Sequence, residues 1–160
     1  MNRFWSTNER IIWEKAGGFA DATSHTANTS PAFRFHRDSA LWIDWDGDSG
    51  PNAEIRLQFL RPGIAMSGAS AASASDWAFV REQDDGASSF YTLGLLPGTS
   101  STQIYYHIGL YSSAPGTRSG PSTIMCGGIA RLHLNYVADP GSYTPTIQVY
   151  YIVPNNLNET

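Results

Sequence analysis

The stretch "DPGSYTPTIQVYYIVPNN", Asp139–Asn156, a turn followed by an apolar strand, constrains the chain more than any other. Ile147, Val149, Tyr151 and Val153 share one face of an extended strand. Thr146, Gln148, Tyr150 and Ile152 share the other, which is also largely apolar. A strand apolar on both sides belongs in the middle of a sheet, with cover on each face. Residues 155–160 do not read as a further strand. What covers the last strand is therefore the question that the fold has to answer.

The rest of the chain reads as more strands. "ALWIDW" (Ala40–Trp45) is the first clear one. "EIRLQFL" (Glu54–Leu60) alternates strictly, which predicts Ile55, Leu57 and Phe59 inward and Glu54, Arg56 and Gln58 outward. "DWAFVRE" (Asp76–Glu82) follows the small-residue loop "SGASAASAS", and "SSFYTLGLL" (Ser88–Leu96) is expected to pair with it as a hairpin through "QDDGA". "QIYYHIGLY" (Gln103–Tyr111) and "IARLHLNYV" (Ile129–Val137) follow, the second with Leu132, Leu134 and Tyr136 inward. About seven strands separated by turn signals predict an all-β sandwich or barrel. Residues 1–30, with the small polar run "ADATSHTANTSP", read as an N-terminal segment and linker, and 31–160 as the domain. No convincing helix and no internal repeat is expected after residue 20.

Composition narrows the function classes. The chain has 160 residues, of which 15% are charged, and a formal net charge of −4. Its basic residues, Lys15 and the arginines, form no cluster, so no nucleic-acid partner is expected. No apolar run reaches the length that spans a bilayer, so no membrane insertion is expected. The opening "MNRFWSTNERIIWEK" lacks the apolar core of a signal peptide. Cys126 is the single cysteine, which excludes an internal disulfide and a cysteine-cluster metal site.

The densest acidic stretch is "DWDGDSGPNAE". Asp44, Asp46 and Asp48 have the spacing of the first three ligands of a calcium loop. Ser49 stands where that loop needs Gly, and Ile55 where it needs Glu, so these aspartates are weak metal candidates and the stretch reads as a turn. His25, His36, His107 and His133 have no partner at metal-ligand spacing. His107 and His133 fall on polar strand faces and are expected at surface or edge positions. No G-x-S-x-G elbow or phosphate loop is present. No acid, base and nucleophile sit at a recognised spacing, so neither an enzyme nor a cofactor is expected. Five Trp and eight Tyr invite a sugar-platform reading. Trp42 or Trp77 is expected to fill the core, with Tyr105, Tyr111 and Tyr150 as surface candidates. Asn28 and Asn158 open N-glycosylation triplets.

Three stretches carry a family resemblance: "LWIDWDGDSGPNAEIRLQFL", "WAFVREQDDGASSFYTLGLL" and "IMCGGIARLHLNY…DPGSYTPTIQVYYIVPN". Between Phe33 and Pro154 they resemble the C-terminal, pilin-type domain of class 5 chaperone–usher fimbrial tip subunits, the CblD-like pilus initiators. The resemblance implies an immunoglobulin-like β-sandwich that lacks its last strand and is completed by a donor strand from another chain. It implies a structural fimbrial subunit, with other pilin subunits, a periplasmic chaperone and an usher as partners. It implies an extracellular fimbrium reached through the periplasm. Leu132, Leu134, Ile147, Val149, Tyr151 and Val153 would then line the partner-strand groove. Physics supports such a reading, because an uncovered apolar groove beside a strand edge must be filled. The family's Cys pair is broken here: Cys126 matches one member, and the other falls near Ile43. The N-terminal segment "RIIWEKAGGF" could act as donor, with Ile11 and Trp13 alternating suitably, or could simply pack as a terminal strand. The alternative to a pilin is a complete sandwich or jelly roll that binds carbohydrate, a host glycan for instance, or builds a viral or phage shell.

Overall fold

A computed structural model describes residues 7–19, 28–36, 39–80, 92–107 and 128–154. His25, Tyr111, Cys126, Asn158 and the "QDDGA" turn lie outside these residues. The described strands are β1 (Thr7–Ala16), β2 (Phe33–Phe35), β3 (Ala40–Asp46), β4 (Ala53–Leu60), β5 (Trp77–Phe79), β6 (Thr92–Leu96), β7 (Ser101–His107), β8 (Gly128–Tyr136) and β9 (Thr146–Pro154). The loop between β4 and β5 forms two short 3-10 turns, Met66–Ala71 and Ala74–Asp76.

The strands build two antiparallel sheets. The first has the order β1-β9-β3-β7, and the second β2-β8-β4 with β5 and β6 both on the far edge of β4. The all-β sandwich expected from the sequence is therefore what the chain folds into. The immunoglobulin-like strand order is not the one observed. From β1 to β4 the chain changes sheet at every connection, and the first and last strands are neighbours. Counting β5 and β6 as one position, the order is 1-8-3-6 over 2-7-4-5, the double Greek key of a jelly roll.

β9 is covered by the chain itself. On one edge it pairs with β3, from Ala40 opposite Ile152 to Asp46 opposite Thr146. On the other it pairs with β1, from Thr7 opposite Pro154 to Ala16 opposite Thr146. Residues 7–19 thus belong to the sandwich and are not a separate segment before residue 30. A bulge between Ile11 and Trp13 inserts Ile12. One extra residue reverses the face that follows, so Trp13 turns into the core while Ile11 faces out. The expected alternation, with Ile11 and Trp13 on one face, does not hold.

The turn of the hairpin expected between Asp76–Glu82 and Ser88–Leu96, with the residues flanking it, lies outside the described residues, and β5 and β6 are described by their pairing with β4. Leu60 lies opposite Trp77 and Gln58 opposite Phe79, while Arg56 lies opposite Thr92 and Ala53 opposite Leu96. The two strands run end to end along one edge of β4.

The core fills the space between the sheets. Ile55, Leu57, Leu132, Leu134 and Tyr136 come from one side, and Leu41, Ile43, Trp45, Ile147, Val149 and Tyr151 from the other. Trp13 and Phe19 close the β1 side, with rings in edge contact at 6.4 Å. Trp45 satisfies its indole by donating to the Pro97 carbonyl at 2.7 Å. A smaller cluster of Leu60, Ala69 and Trp77 forms beneath the 3-10 turns. At one end the loops at 47–52 and 97–100 meet backbone to backbone: Gly50 N–H donates to the Gly98 carbonyl at 3.0 Å. A Cβ on Gly98 would fall 1.9 Å from the Gly50 oxygen, so only glycine fits that crossing.

Candidate functional site

The outer face of the first sheet carries one row of large side chains in register. Ile11 on β1 is opposite Tyr150 on β9, Tyr150 is opposite Trp42 on β3, and Trp42 is opposite Tyr105 on β7. The row exists because alternation sends Leu41 and Ile43 inward, leaving Trp42 outward between them. Trp42 is 39% exposed, Tyr105 58% and Ile11 48%. The Trp42 and Tyr105 rings lie 6.4 Å apart. Trp42 or Trp77 was expected in the core: Trp77 is buried in the smaller cluster, Trp42 faces out, and Trp45 fills the space between the sheets.

The next row is polar. Glu14, Gln148, Asp44 and Gln103 face one another across the same four strands. They help line a shallow groove of about 460 Å³ that abuts the aromatic row. Two hydrogen bonds tie the rows together. The Trp42 indole donates to Asp44 Oδ1 at 3.0 Å, and the Tyr150 hydroxyl donates to Gln148 Oε1 at 2.9 Å. Both rings are thereby held in fixed orientations.

A second apolar group projects near the end where residues 47–52 lie. Val137 is 66% exposed and Leu95 59%. Val137 N–H donates to the Asn52 carbonyl, Leu95 lies opposite Glu54, and the Tyr143 ring packs on Gly50. All three residues therefore sit beside the segment 50–54, away from the middle of the first sheet's outer face.

The six residues assigned to a partner-strand groove take a different place. Leu132, Leu134, Ile147, Val149, Tyr151 and Val153 are all buried between the sheets. They form no groove open to a partner strand, because β1 occupies the edge of β9 where such a strand would pair. The three aspartates are not brought together on one point. Asp44 accepts from Trp42, Asp46 accepts from the Ser101 hydroxyl at 2.6 Å, and Asp48 accepts from the Thr144 N–H at 3.0 Å and hydroxyl at 2.8 Å. The Thr144 bonds, the backbone one foremost, hold the Asp48 carboxyl below its ordinary value. Among the described residues no group of three or more His, Cys, Asp or Glu is placed to hold a metal ion.

His133 is a further correction. It points out of the second sheet but is buried, with the Phe79 ring edge-on at 5.1 Å. The segment 28–30 continues the pairing along the edge of β8, with Thr29 opposite His133: Leu134 N–H donates to the Asn28 carbonyl and Ser30 N–H to the Leu132 carbonyl. Asn28 is itself buried, which removes it as an accessible glycosylation acceptor. Arg131, on the same face, lies over Trp77 at 4.2 Å and donates to Gln58 Oε1 at 2.7 Å. Burial pulls its pKa down to about 10.

Among the described residues these features define a jelly-roll sandwich closed by its own β1, with two separate exposed apolar groups. No protein-family model matches the chain, and no curated protein is significantly similar to it in sequence.

Proposed function

We propose that this chain is a non-catalytic structural subunit that assembles with copies of itself, in the manner of a jelly-roll shell. The observation that carries the reading is the pair of apolar groups on different parts of the surface: Ile11, Trp42 and Tyr105 on the sheet, and Leu95, Val137 and Tyr143 near one end. Exposed apolar groups of this kind mark contact sites. Two unlike patches permit heterologous contacts, which propagate into closed shells or filaments instead of stopping at a dimer. The jelly roll suits this role because its sheets are rigid and complete, and it recurs in shell and lectin domains. That last step is an analogy of fold.

The fimbrial reading belongs to the same class of structural assembly. Its form here is exchange of β1, which already lies antiparallel along the last strand, where a donor strand would be needed. A second reading, glycan binding, is favoured by the aromatic row beside the polar groove, since stacked rings flanked by carboxylate and amide groups suit a sugar's apolar face and its hydroxyls.

Sedimentation velocity and negative-stain microscopy of the full chain over a range of concentrations test the main reading. Discrete large particles are expected, and Val137→Glu or Tyr105→Glu should dissolve them without unfolding the monomer. A chain that stays monomeric throughout contradicts the reading. A glycan-array signal that disappears in Trp42→Ala would then move the assignment to sugar binding.

A further inference from the structure

One cleft is absorbed by none of this. It lies on the open side of the sandwich, where edge strand β1 of one sheet faces edge strand β2 of the other. Its volume is about 380 Å³. β1 contributes Glu9 and Arg10, β2 contributes Arg34, and His36 follows one residue after β2. Met66, Tyr151 and Val153 also line it.

Arg10 is opposite Tyr151 in register, and its guanidinium carbon is 5.6 Å from the ring centroid. Tyr151 is itself fixed. Its ring is buried, and its hydroxyl accepts the His36 backbone N–H at 2.8 Å. The floor of the cleft is thus rigid, and Arg10 is held over it.

The use of the other arginines makes this cleft distinctive. Five arginines are described. Arg56 pairs with Glu54 at 2.6 Å, Arg61 pairs with Asp76, and Arg131 is spent on Trp77 and Gln58. Arg10 and Arg34 form no ion pair among the described residues, yet they line one cleft from two different sheets. Guanidinium groups present forked donors that match a tetrahedral or planar oxoanion. Two of them lining one cleft attract an anion more strongly than either does alone. Among the described residues Glu9 is the one carboxylate in the lining, against the two arginines.

We propose that this cleft binds a compact oxoanion, a phosphate group either free or carried on a small ester, between Arg10 and Arg34. A nucleic-acid backbone does not fit, because the other described arginines are engaged internally and offer no track for successive phosphates. The proposal is independent of the assembly reading.

Isothermal titration calorimetry of the full chain with inorganic phosphate, at fixed ionic strength, is the test. Saturable one-to-one binding is expected, with affinity falling at least about tenfold in Arg10→Gln and in Arg34→Gln, as charge-assisted hydrogen bonds are lost. Glu9→Gln should tighten binding by roughly twofold or more, since it removes the one opposing charge. All three side chains are exposed, and circular dichroism melts should confirm that each variant folds. No saturable heat, or affinity unchanged in both arginine variants, overturns the proposal. So does acetate binding as tightly as phosphate, which would make the cleft a carboxylate site.

Discussion

Trp13→Ala is the most informative single perturbation of this fold. Trp13 sits on the edge strand that seals β9, yet it is only 4% exposed and packs on Phe19. An indole buries about 200 Å², and at about 25 cal/mol per Å² its removal loses up to ~5 kcal/mol of burial. Measured Trp→Ala and Phe→Ala changes in cores run about 3–5 kcal/mol. An edge strand can close partly over the gap, so the lower end, about 3 kcal/mol, is expected. That is a large part of a total stability of order 5–15 kcal/mol. It should lower Tm by roughly 6–12 °C in a domain of this size. Ile11→Ala is the internal control, because Ile11 lies on the same strand but faces out. Its cost should stay below about 1 kcal/mol. Guanidinium unfolding followed by circular dichroism measures both. A Trp13→Ala cost under about 1 kcal/mol would show that β1 does not close the sandwich. A larger cost at Ile11 than at Trp13 would show that the bulge, and hence the register, is wrong.

Three further outcomes are expected. Gly98→Ala should destabilise the fold by about 1–3 kcal/mol, because the added Cβ meets the Gly50 carbonyl; urea midpoints of the two proteins check it. Tyr151→Phe should cost about 1–3 kcal/mol, since it strips the His36 N–H of its partner, and the loss is read from the same titration. Asp48 has a folded pKa below its unfolded value. Its contribution is therefore present in full above the ordinary carboxylate range and is lost as pH falls through the folded value. The stability difference between the wild type and Asp48→Asn should accordingly shrink between about pH 5 and pH 2; melts across that range measure it.

Much of the sandwich was legible because alternation is a local signal. The inward sets of β4, β8 and β9 follow directly from Ile55, Leu57, Leu132, Leu134, Tyr136, Ile147, Val149 and Tyr151. What covers β9 was legible only as an option, since "RIIWEKAGGF" could donate a strand or pack as a terminal one. The pairing of residues 7–16 with 146–154 joins the two ends of the described chain and leaves no mark in either segment. A single-residue bulge likewise has no signature in "ERIIWEK", yet it decides which of Ile11 and Trp13 is buried. "ALWIDW" is apolar at four successive positions, so pattern alone could not assign Trp42 and Trp45 to faces. His133 reads as a surface residue on its own strand but is buried, with the Phe79 ring against it and residues 28–30 paired along the edge of β8. The aromatic row was half visible: Tyr105 and Tyr150 were surface candidates, but their alignment with Trp42 depends on register across three strands.

The account rests on β9 being an interior strand, closed on one side by β3 and on the other by the chain's own β1. Hydrogen exchange of the dilute monomer, read amide by amide over residues 147–153, tests this most directly. An interior strand bonds its amides on both edges, so successive residues should all be protected near the level of global unfolding. Protection at alternate residues only, with the others exchanging freely, would mean that one edge of β9 is open and that the sandwich waits for a strand from elsewhere.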